Sequence, residues 1–177
     1  MNTKHIKLIL IFFICLFTLP VLAQEKIKEG KVTVNDRVYS VSKNSKHNAK
    51  RLWIQYNVEF IRKGGNDPKS YTKIDYEFAT KETIISAVEK VLGRSRIAEL
   101  TASKYKTLPM TVYPDYTGKI VAMEFRISDD NPITMEELDR ISSFIEKNVS
   151  FKVSEPLKPG QRISPFSQRV RFADLLK

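Results

Sequence analysis

Apolar and polar residues alternate along much of the chain, which is the pattern of strands with one buried face. Residues 31–41 alternate on either side of Asn35 and Asp36, a pair that tolerates left-handed turn geometry, and they predict a hairpin. Residues 51–62 show the clearest alternation and predict one long strand, in which Trp53 lies on the wetter face. The first part of the chain is therefore expected to begin a sheet.

Further strands are predicted after this region. The turn-forming run 64–68 precedes an extended stretch at 71–78, so the N-terminal strands are expected to span residues 31–78. Residues 110–127 predict a second hairpin, and apolar alternation at 149–153 suggests a strand. After a proline-containing segment, residues 169–172 predict an edge strand.

Two segments show apolar residues at helical spacing instead. The first is predicted to be capped by Thr80, to bend or end at Gly93, and to run to about Ser103. The second begins with Thr134 and Glu137, which have the spacing of a capping box. Strands, helix, hairpin, helix and strand in this order predict the α+β class, with a largely antiparallel sheet and two helices packed on one face.

The N-terminus has the three regions of a signal peptide. Lys4 and Lys7 precede the apolar run 8–17, and the small residue Ala23 marks a cleavage site, so residues 1–23 are expected to be removed. An uncleaved membrane anchor is the alternative, but the apolar segment that ends at Ala23 is shorter than the roughly 20 residues of a spanning helix. We expect a secreted or periplasmic protein whose residues 24–177 form one α+β domain.

Composition excludes several kinds of chemistry. Among the 177 residues there are one cysteine and two histidines, and the cysteine lies in the predicted leader. Only His47 is left as a soft ligand, so zinc binding and Ser-His catalysis are poorly supported and no catalytic residue, metal or cofactor is predicted. Nucleic acid is not expected as a partner either, because the chain has no zinc-finger spacing, RNA-binding motif or dense Lys/Arg tract.

Carboxylates leave one enzymatic alternative open. Asp75 and Glu77 share a face of the predicted extended stretch, and Glu59 would lie opposite them if the strands pair. Two acids on one face would suit a carboxylate-dependent hydrolase only inside a cleft.

The charge balance points to acidic partners. The chain has 30 Lys plus Arg against 20 Asp plus Glu, and the excess lies at both ends of the mature chain. A basic loop and tail could bind an anionic glycan or lipid headgroup, with peripheral membrane contact, although a merely solvated surface is the simpler interpretation. Two aromatic residues are added as candidate surface anchors. The candidate binding residues are Lys43, Lys46, Lys50, Arg51, Trp53, Tyr116, Arg169 and Arg171.

Residues 108–172 resemble the C-terminal domain of TonB-type energy transducers. The pieces that carry the resemblance are Asp115 to Gly118, Ile120 to Ile127, Leu138 to Ile145, Phe151, and Val170 to Phe172. The resemblance implies that an extended peptide from an envelope protein binds by strand addition, a mode that needs no catalytic residues. The whole chain also resembles small secreted proteins of gut Bacteroidetes, which implies a location and no activity. The first hypothesis is therefore an exported, non-enzymatic binding module of the cell envelope.

Overall fold

The computed structural model describes residues 26–43, 50–65, 71–72, 78–152 and 162–177, so the predicted signal peptide lies outside it. Its strands are β1 (Gly30–Val34), β2 (Arg37–Lys43), β3 (Arg51–Tyr56), β4 (Tyr71–Thr72), β5 (Thr107–Pro114), β6 (Ile120–Ser128), β7 (Arg162–Ile163) and β8 (Phe166–Arg171). Within the described ranges, six of them form one antiparallel sheet in the spatial order β1-β2-β3-β6-β5-β8. Strands β4 and β7 form a short parallel pair.

The helices in the same ranges are α1 (Val58–Gly65), α2 (Phe78–Ala102), α3 (Met135–Asn148) and a closing 3-10 helix (Phe172–Leu176). Helices α2 and α3 cover one face of the sheet and share one hydrophobic core with it. This core includes Leu52, Ile54 and Phe125 from the sheet, Ile84 and Ile97 from α2, and Leu138 and Ile141 from α3. The predicted α+β class, with a largely antiparallel sheet and two substantial helices, is confirmed.

Both predicted hairpins are present. In the first, Asn35 and Asp36 have φ angles of 45° and 66°, so both occupy the left-handed region that a two-residue turn between twisted strands requires. In the second, the side chain of Asp115 accepts hydrogen bonds from the backbone amides of Thr117 and Lys119 at 2.8 and 3.1 Å. Short polar side chains therefore close both turns through local geometry.

The prediction of one strand from residue 51 to 62 is wrong, because the strand ends at Tyr56. Asn57 has a φ of 53°, and its carbonyl accepts from the amides of Phe60 and Ile61, which starts helix α1. The Asn57 side chain donates to the carbonyl of Val121 at 3.0 Å and fixes this change of direction. Apolar residues after position 57 fit either period, so alternation alone did not reveal the break.

Two other boundaries differ from the prediction. Helix α2 begins at Phe78, two residues before Thr80, so Thr80 is not its cap. Gly93 bends this helix as expected, with φ 73° and ψ 159°. Within the described residues, the segment predicted as a strand at 149–153 forms a bridge between Lys119 and Ser150, and the Phe151 amide donates to the Gly118 carbonyl.

The capping box at the start of α3 is confirmed in full. The Glu137 amide donates to the Thr134 hydroxyl at 3.1 Å, and the Thr134 amide donates to the Glu137 carboxylate at 2.8 Å. Arg96 of α2 donates to the other carboxylate oxygen at 2.7 Å and to the Pro132 carbonyl. One charged contact thus joins the two helices that cover the sheet.

Candidate functional site

The sheet has a second face, opposite helices α2 and α3, that carries polar and charged side chains. Because Leu52 and Ile54 of β3 point into the core, Trp53 and Gln55 point the other way. The register places Trp53 beside Arg126 and Gln55 beside Glu124, both on β6. The side chains of successive strands therefore form rows that cross this face at right angles to the strands.

The same register continues across β5 to β8. Glu124 is paired with Thr111, and Thr111 with Ser167, whose hydroxyls lie 3.0 Å apart. One row along, Pro109 is paired with Arg169. Polar groups from both ends of the sequence are thus brought onto one surface.

One end of this face forms a groove with a volume of about 590 Å³. Its walls come from the start of β3, the end of β6, the start of β5, strand β8 and the loop that joins α2 to β5. No Asp or Glu is present among the described residues that line it. The basic side chains that line it are Arg51, Lys104, Lys106, Arg126 and Arg169.

Three of these cations are unneutralised. Within the described residues, Arg51, Lys106 and Arg169 have no ion pair. Arg51 and Arg169 are exposed, so their charges are available to a solute in the groove. The groove therefore presents an excess of positive charge to solvent.

The fourth cation, Lys104, has a partner at the edge of the groove. Its ammonium lies 2.6 Å from the Asp130 carboxylate and 4.9 Å from the centre of the Tyr105 ring. The hydrogen bond from Lys104 lowers the pKa of Asp130 to about 2, and the same bond raises the pKa of Lys104. The Lys104 ammonium and the Asp130 carboxylate therefore both stay charged throughout the physiological pH range.

The fifth cation, Arg126, is held from two sides. Its Nε donates to the Glu124 carboxylate at 2.6 Å, and its guanidinium carbon lies 4.8 Å from the centre of the Trp53 ring. The other Glu124 oxygen accepts from the Gln55 amide at 2.7 Å. Glu124 is only 2% exposed although it lies on the face opposite the helices.

The sequence-predicted binding residues divide into two groups. Arg51 and Arg169 line the groove, Trp53 contacts its lining residue Arg126, and Arg171 is paired with the lining residue Thr107. Exposed Lys43 and Lys50 lie beside Arg51 at the same end of the sheet.

The remaining two candidates are not brought to the groove. Tyr116 is 65% exposed but lies in the turn at the far end of the β5–β6 hairpin. Lys46 lies outside the described residues.

Sequence reasoning missed Arg126 and the loop residues Lys104, Tyr105 and Lys106. The alternation of β6 already placed Arg126 on a polar face, and pairing β6 with β3 would have found it beside Trp53. No sequence signal links the α2–β5 loop to this face, because that contact depends on how α2 packs.

The carboxylate arrangement expected for a hydrolase is not formed by Glu59. This residue lies exposed on helix α1, not on a strand, because the chain turns at Asn57. Asp75 and Glu77 lie outside the described residues, as does His47. No group of three or more His, Cys, Asp or Glu side chains in the described ranges is placed to hold a metal ion. In these ranges no helix combines the length and apolarity needed to cross a bilayer.

Comparison with solved structures shows a similar fold in another protein. A DUF5043 family protein from Bacteroides uniformis aligns with 81% of this chain and 84% of its own, with a TM-score of 0.56 and 12% sequence identity. The two proteins share a fold. At this identity the match shows the fold alone, and it agrees with the likeness to small Bacteroidetes proteins. No protein-family model matches the chain, and the comparison with curated proteins gave no match.

Proposed function

We propose that this protein is a binding module for anionic glycans of the bacterial cell envelope and that the groove on the sheet face opposite helices α2 and α3 holds the ligand. The observation that carries the proposal is the convergence of five cations from four distant parts of the chain on one groove, where no carboxylate is found among the described lining residues. A surface that served only solubility would interleave charges of both signs.

Charge density favours an extended polyanion over a single small anion. The lining cations come from β3, β6, β8 and the loop that leads into β5, and these four strands are adjacent in the sheet. Neighbouring strands lie about 4.8 Å apart, so the cations span roughly 14 Å across the sheet. A glycan with a charged group on successive sugars can contact several of them at once, and each contact adds a screened attraction.

The apolar surface favours a glycan over a lipid headgroup. A protein that docks on a membrane usually inserts apolar side chains beside its basic residues. The exposed large apolar side chains in the described ranges are Val38, on the β1–β2 hairpin, and Tyr116, and neither lines the groove. Tyr105 does line it, and an aromatic ring suits the apolar face of a sugar.

The test is binding of a polyanionic glycan to the mature protein, measured by isothermal titration calorimetry at increasing salt. The variants Arg51→Glu and Arg169→Glu reverse two charges that line the groove. Two charges 4 Å apart in water attract by about 1 kcal/mol, so each reversal should change the binding free energy by about 2 kcal/mol, or roughly 30-fold in affinity.

The matched control is Arg140→Glu, which makes the same charge change at an exposed position of α3, the helix on the opposite face of the sheet. Binding should be strong at low salt, weaken as salt rises, and survive the control substitution. Equal losses in all three variants, or affinity that does not depend on salt, would contradict a groove-specific site.

A second candidate function is peptide recognition by strand addition at β8, the mode that the TonB-like pattern implies. The observation that favours it is the position of β8 at the end of the sheet, where β5 is its hydrogen-bonded neighbour among the described strands. Hydrogen exchange measured with and without outer-membrane extract distinguishes the outcomes. Strand addition should protect β8 amides only when the partner is present. Protection of all β8 amides in the free protein would mean that this edge is already covered.

A further inference from the structure

Arg126 differs from the other cations of the groove in how it is supported. Glu124 and Gln55 fix one side of it through hydrogen bonds of 2.6 and 2.7 Å in series, and the Trp53 ring lies 4.8 Å from its guanidinium carbon. Arg51 and Arg169 have no such contacts within the described residues. The described residues do not fix the guanidinium planes of those two arginines, whereas the contacts with Glu124 and Trp53 set the plane of Arg126.

The buried carboxylate of Glu124 makes sense as part of this support. Burying a carboxylate costs free energy, and the attraction within its ion pair rarely offsets that cost. A buried ion pair is therefore weak evidence that the residue is there for stability. Both oxygens of Glu124 are used, one by Arg126 and one by Gln55. What the arrangement provides is a fixed orientation of Arg126.

The contact with Glu124 uses only the Nε of Arg126. Neither terminal nitrogen has a hydrogen-bond partner within the described ranges, and the side chain is 51% exposed. These two nitrogens form the fork that binds the two oxygens of a carboxylate or a sulfate in parallel hydrogen bonds.

Resting on the proposed function, we propose that Arg126 orients the glycan by a two-bond contact to one carboxylate or sulfate group on a sugar ring. Glu124 and Trp53 are positioning residues in this arrangement, since they act through Arg126. The remaining cations attract the polyanion but do not fix its orientation.

The first test replaces each arginine by lysine, which keeps the charge and removes the fork. Binding is measured with polygalacturonate, which carries only carboxylates, with dextran sulfate, which carries only sulfates, and with neutral dextran as the blank. Arg126→Lys should weaken binding of the preferred polyanion roughly 10- to 100-fold, because a charge-assisted hydrogen bond and the stacking contact are lost. Arg51→Lys and Arg169→Lys should each change it less than about threefold.

The second test, Glu124→Gln, separates positioning from simple electrostatics. Removing a negative charge next to a polyanion should raise affinity if only charge matters. Glutamine has one acceptor oxygen for the two donors of Arg126 and Gln55, so it cannot keep both in place. We therefore expect Glu124→Gln to bind the preferred polyanion more weakly while its circular dichroism spectrum stays unchanged. The difference in affinity between the two polyanions should also become smaller.

The outcomes are distinguishable. If Arg126→Lys behaves like Arg51→Lys, or if a folded Glu124→Gln variant binds more tightly, the groove still binds polyanions but Arg126 has no orienting role. If Glu124→Gln does not fold, the three lysine variants decide the question by themselves. If neither polyanion binds the unaltered protein, the proposed function fails and this inference fails with it.

Discussion

The sharpest stability prediction concerns a buried hydrogen bond that ties the first hairpin to helix α3. Tyr39 of β2 is fully buried, and its hydroxyl donates to the Asp139 carboxylate of α3 at 2.8 Å. Burial raises the pKa of Tyr39 well above its ordinary value, so the hydroxyl is protonated and can donate at neutral pH. Asp139 itself is 2% exposed and cannot replace this donor with bulk water.

The perturbation is Tyr39→Phe, which keeps the ring and removes only the hydroxyl. Asp139 would retain the Asn35 amide at 3.0 Å and Arg37, whose nearest nitrogen is 3.7 Å away. A hydrogen bond to a charged group contributes about 1.5–3 kcal/mol to stability. Leaving the buried carboxylate without one of its donors adds to the cost of removing that bond. We expect the free energy of unfolding to fall by about 2 kcal/mol.

Urea denaturation, followed by circular dichroism and by Trp53 fluorescence, measures this change. Tyr116→Phe is the matched control, because that side chain is 65% exposed, and it should alter stability by less than about 0.5 kcal/mol. A double-mutant cycle with Asp139→Asn should assign most of the loss to the pair. If Tyr39→Phe unfolds at the same urea concentration as the unaltered protein, the hydrogen bond is not a source of stability and the reasoning is refuted.

The remaining predictions concern the groove and two helix positions. Asp130→Asn should free Lys104 and raise polyanion affinity in calorimetry, and no change would mean that this lysine does not contact the ligand. Because the pKa of Asp130 is lowered to about 2, its carboxyl signal in an NMR titration should stay that of the ionised form as pH falls through 4 and change only near 2, whereas a midpoint near 4 would exclude the pair. Gly93→Ala should destabilise by about 1–3 kcal/mol, since residues with a β-carbon rarely adopt φ 73° and ψ 159°, whereas alanine in a regular helix there would add about 1 kcal/mol of stability in the same thermal melt. Thr134→Ala should cost about 1 kcal/mol and Thr134→Ser much less, and equal losses would argue against the hydroxyl's bond to Glu137.

Patterns in short stretches of sequence predicted the turns, caps and bends that interactions between neighbouring residues define. The turn at Asn35-Asp36, the capping box at Thr134 and the bend at Gly93 each depend on a few adjacent residues, and all three are confirmed. The strand from 51 to 62 was wrong because one left-handed residue, Asn57, is stabilised by a long-range contact to Val121 that no local pattern contains.

The sequence predicted only part of the candidate site, because the site also depends on long-range contacts. Charge and alternation selected Arg51, Trp53 and Arg169, and the structure brings all three to the groove or its border. They did not select Arg126 or Lys104. An arginine in an alternating strand is normally solvated, and only its neighbours on another strand distinguish it.

The sequence by itself determined which residues are polar, which face of each strand they occupy, and where the two hairpins turn, because these properties depend on side-chain chemistry and a two-residue period. Only the tertiary structure decided which strands are neighbours. Placing β3, β6, β5 and β8 side by side turns scattered cations into one groove, and it sets Arg126 between Glu124 and Trp53. Strand order is fixed by the packing of the whole core. The pattern within a single short segment of sequence therefore cannot predict it.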